Sequence, residues 1–74
     1  MSASLRAAHI ALAAALNAAD AWHTEALAAL PDGHTWRDVD LLSIEKSKRH
    51  MTAYGAYDVV AAEFDRLVAE EMLK

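Results

Sequence analysis

The chain is 74 residues long, carries a formal net charge of −4 and contains no cysteine. That length allows a single small domain over 1–74, and the missing thiols exclude disulfide bracing and every thiolate metal site. The acidic balance argues against a protein that coats nucleic acid, while 55% apolar residues with two glycines and one proline favour a folded helical domain over disorder.

The stretch 4–30 has no Gly, no Pro and no β-branched run, and Leu5, Leu12, Leu16, Trp22, Leu27 and Leu30 recur through its alanines. This predicts one long helix of about 40 Å, with Ser2 or Ser4 as its N-cap. A heptad laid from Leu5 puts Leu12 and Ala19 on one seam position, Ala15 and Trp22 on the second, and His9, Leu16 and His23 on the adjoining one. Small seam residues let two helix axes approach toward the low end of the usual ~8–10 Å. His9, Asn17, Asp20, His23 and Glu25 interrupt the segment, which argues against a membrane span. A leader over 7–15 would be alanine instead of leucine, and its removal would take away half the helix.

Pro31-Asp32-Gly33 ends this helix, since proline cannot continue it and Asp-Gly supplies turn chemistry. Thr35 with Asp38 three residues on reads as a variant capping box, so a second helix begins at Trp36. Gly55, between Tyr54 and Tyr57, reads as a break or kink, although no good N-cap precedes Asp58. Without that break, 36–73 is one helix. Its last part is amphipathic, with Tyr57, Val60, Phe64, Leu67 and Val68 on one stripe. The expected fold is all-α: a long N-terminal helix against a helical hairpin, with three helices if Gly55 breaks the second and two if it does not.

Chemistry-bearing patterns are sparse. His9 and His23 lie about 21 Å apart along one helix, too far to share a metal, and neither His-x-x-x-His nor Glu-x-x-His spacing occurs. At one heptad position they could instead make an interface pH-sensitive. Asp38 and Asp40 fall on different faces, the serines lack a nucleophile turn, and no glycine-rich phosphate loop exists. Neither a catalytic nor a cofactor-binding role is therefore expected, and no metal. The densest polar feature is Lys46, Lys48, Arg49 and His50, a candidate contact for phosphate or an acidic surface. Read as helix structure, it is a solvated stretch in which Glu45 can pair with Arg49.

Trp22 and Trp36 flank the turn and serve either as clasps between helices or as anchors for a partner. Ile10 and Leu27 fall off the main stripe, as do Leu41 and Ile44. Two apolar faces exceed what a monomer of this size can bury, so association is expected. The expected function is a non-catalytic, cytoplasmic protein–protein interaction module. It would self-associate as a homo-oligomer or dock on a larger partner, as an assembly subunit or small inhibitor of the kind phages and mobile elements encode. The expected interface is Leu12, Ala15, Leu16, Ala19, Trp22, Leu27 and Trp36. The alternative is a nucleic-acid-associated regulator that uses the basic cluster 46–50.

Overall fold

A computed structural model describes residues 3–73. Among them the chain forms two helices, α1 (Ala3–Ala28) and α2 (Trp36–Met72), folded back on each other as an antiparallel hairpin. The class is all-α, as the sequence predicts. The molecule measures 65 × 18 × 9 Å, so it is long and one helix layer thick.

Helix α1 starts at Ala3, which places Ser4 inside the helix; Ser2 lies outside the described residues. The last turn closes through Ala29 N–H to Glu25 O and Leu30 N–H to Leu27 O, just before Pro31. The connection is tied down locally. The His34 Nδ1–H donates to the Pro31 carbonyl at 2.9 Å, and the His34 backbone N–H donates to the same oxygen at 3.0 Å. At the start of α2, the Asp38 carboxylate accepts the Thr35 backbone N–H at 2.9 Å. That satisfies a donor with no intrahelical partner, as the sequence pattern predicts.

The expected break at Gly55 does not occur: α2 is continuous, and neither glycine has a positive φ. The hairpin is therefore made of α1 and α2 themselves, not of two helices carved from 36–73. The reason is energetic. A glycine inside a helix costs about 1 kcal/mol relative to alanine, whereas a break there would orphan backbone groups at two new helix ends with no capping side chain before Asp58.

The seam between the helices sets a few alanines among larger apolar residues. Ala19 is the one buried residue among those described, at 5% exposure. Around it α1 contributes half-buried Leu5, Ala8, Leu12, Leu16, Trp22 and Leu27, and α2 contributes Val39, Leu42, Ala53, Tyr57, Val60 and Phe64. Leu27, expected off the stripe, thus lies half-buried, while Ile10 is 65% exposed.

Candidate functional site

Four contacts tie α1 to the middle of α2. The Tyr57 hydroxyl and His9 Nε2 share a hydrogen bond of 3.0 Å, with ring centroids 4.8 Å apart. One helical stretch away, the His50 Nε2–H donates to Asp20 Oδ1 at 2.9 Å, and the Lys46 ammonium stands 3.9 Å from the same oxygen. The Arg49 guanidinium sits 3.9 Å above the Trp22 ring and donates through Nε to Glu45 Oε1 at 3.2 Å. Cation–π and exposed ion-pair contacts of this kind contribute on the order of 0.5–1 kcal/mol each.

These contacts change how the basic cluster reads. Lys46, Arg49 and His50 direct their polar ends to Asp20, Glu45 or Trp22 within the hairpin. Lys48 has no ion-pair partner among the described residues. The cluster is a set of clasps with one outstanding cation, not an open basic patch.

The histidines are dispersed in the same way. His9, His50 and His34 each bond a different group, and His23 Nε2 is buried without a partner. No group of three His, Asp, Glu or Cys side chains that could hold a metal occurs among the described residues. Toward the end of α2, Arg66 bridges Glu63 and Glu70, donating to Glu70 Oε1 at 2.6 Å. The Arg66 hydrogen bond holds the Glu63 carboxyl below the usual glutamate range.

Much of the expected interface is occupied inside the molecule. Leu12, Leu16, Ala19, Trp22 and Leu27 face α2, whereas Ala15 lines an open groove and Trp36 is 71% exposed. The unpartnered apolar surface lies elsewhere, on the outer side of α2. Leu41 is 55% exposed, Ile44 52% and Met51 72%, and Gly55 and Ala62 continue the same face. Leu41 and Ile44 were separable in sequence from the Val39–Leu42 face, but the length of the outer stripe was not, because Lys48 and Asp58 punctuate it. The grooves along the hairpin are shallow; the one beside Ala15 is lined by Ala18, Ala53 and Ala56 with Lys48 and Arg49 at its rim.

No helix among the described residues is long and apolar enough to cross a membrane. No protein-family model matches the chain, and no curated protein or solved structure matches it either.

Proposed function

We propose that this chain is a non-catalytic helical interaction module that works by association, with itself in the first instance, as an assembly subunit or small inhibitor in the cytoplasm. The observation that carries the reading is an inversion of the usual distribution of side chains. Among the described residues Ala19 alone is buried, while Ile44, Met51, Val59, Met72 and other large apolar residues stand in water. A domain of this size normally depends on oligomerisation, metal or disulfides for its stability. With no cysteine in the chain, association is the means that the exposed surface supports.

The solution mass tests this, measured by light scattering over a concentration series at low and moderate salt, with helicity followed in parallel. The expected result is a dimer or larger species whose melting temperature rises with concentration. A well-folded monomer at every concentration would refute self-association and leave the outer face of α2 to a foreign protein, to be sought by pull-down. The nucleic-acid reading gains little from the arrangement around residues 46–50, because Lys46, Arg49 and His50 are held by Asp20, Glu45 and Trp22 and Lys48 alone is left over.

A further inference from the structure

We infer that the outer face of α2 takes a second copy of this chain, α2 against α2′ in antiparallel orientation, about a two-fold axis level with Ala53. This rests on the self-association reading and specifies its partner, face and register.

The face follows from spacing. Ile44, Lys48, Met51, Gly55, Asp58 and Ala62 recur at alternating intervals of four and three, and all are exposed on the side of α2 turned away from α1. That interval is the signature of a coiled-coil seam. The seam is self-complementary when reversed on itself. About an axis at Ala53, Met51 meets Gly55 of the second copy, Lys48 meets Asp58 and Ile44 meets Ala62. Between 44 and 62 each long apolar side chain is set against a small residue and the cation against the anion; the next step outward sets Leu41 against Asp65 at the seam's end. A parallel pairing would instead stack Lys48 on Lys48 and Asp58 on Asp58.

Three observations on the hairpin agree with this. Neither Lys48 nor Asp58 has an ion-pair partner among the described residues. Gly55 sits mid-helix without a positive φ, and a Cβ there would meet nothing within 4 Å, so the hairpin alone gives no reason for a glycine. A Met51 side chain from a second copy gives one, because it needs the space that a Cβ would take. Tyr54, 49% exposed, flanks the seam beside the axis, where it would face its own copy.

The area agrees too. The chain exposes 5637 Å². A compact monomer of 8.0 kDa exposes about 4,500 Å², leaving roughly 1,100 Å² per chain in surplus. Summed over two copies that surplus is about 2,300 Å², within the size of obligate homodimer interfaces, and it is distributed over the whole elongated hairpin, the outer face of α2 included.

A charge swap tests the register. In one chain Lys48 and Asp58 are about 15 Å apart along α2 and cannot compensate for each other. Lys48→Glu and Asp58→Lys are each expected to weaken dimerisation by roughly ten- to a hundredfold in sedimentation equilibrium, because each creates two like-charge contacts across the two-fold axis. The double variant Lys48→Glu/Asp58→Lys restores the parent dissociation constant to within about threefold. Circular dichroism of each variant at high concentration checks that the helices persist. A parent dimer whose single variants are weakened but not rescued by the double, or not weakened at all, overturns this face and register and leaves self-association standing. A helical monomer at every concentration overturns both.

Discussion

Replacing Ala19 with leucine adds three carbons at the one buried position of the seam, on the margin of the groove that Ala15 also lines. At 5% exposure Ala19 has far less free surface than Ala15, which is exposed, so most of the added side chain must displace its neighbours. Overpacking of this kind costs about 1–3 kcal/mol. In a chain of this size each kcal/mol shifts the midpoint by about 4–8 °C, so a drop of roughly 5–20 °C is expected. Ala15 is one turn earlier and opens on a shallow groove whose floor includes Ala53 and Ala56. A leucine there covers apolar surface without displacing anything, and the midpoint should hold or rise. The assay is a pair of thermal melts by circular dichroism at one fixed protein concentration, since association makes the midpoint concentration-dependent. Equal losses in the two variants, or a larger loss from Ala15→Leu, would refute the view that the helices close on Ala19.

Gly55→Ala should act in two directions: intrinsic propensity raises hairpin stability by about 1 kcal/mol, read from melts at dilution. The new methyl then crowds Met51 of the second copy, so the dissociation constant rises; tighter association would count against Gly55 lying in the seam. Asp20→Ala removes the shared acceptor of His50 and Lys46. Because that carboxylate is exposed, the loss should stay below about 1 kcal/mol, and a loss of several kcal/mol in chemical denaturation would show that the clasp carries more than its exposure allows. Glu63 is held below its ordinary range by Arg66, so its contribution is present above the unfolded glutamate pKa and lost as pH falls through the folded value. An acid titration of helicity should therefore lose a component when Arg66 is replaced by Met, and superimposable profiles would exclude that pairing in solution.

The parts of this fold written in local chemistry were legible in the sequence. Pro31-Asp32-Gly33 stopped α1, and Thr35 with Asp38 started α2 at Trp36, because caps and turns act over three or four residues. Gly55 misled because a helix tolerates one glycine when no capping residue offers an alternative. The residues of the expected interface are a different case. Leu12, Leu16 and Trp22 did form an apolar stripe, but a stripe does not name what covers it, and α2 covers it here. The pairings of His9 with Tyr57 and of Asp20 with His50 join residues 48 and 30 positions apart. Such pairs depend on the register between helices, which a one-dimensional periodicity does not contain.

Alanine against alanine makes a smooth track, since methyl groups a turn apart are nearly interchangeable and hold a sliding helix only weakly in place. Around Ala15, Ala19, Ala53 and Ala56, where the hairpin has such a track, the contacts that differ from one turn to the next are the polar ones. A slip of α1 by one turn, about 5.4 Å, would part His9 from Tyr57 and Asp20 from His50 together, and would carry Trp22 out from under Arg49. Those side chains act as detents on the track: their modest energies do little to hold the helices together, yet with the larger seam residues Leu12, Leu16 and Phe64 they favour one alignment.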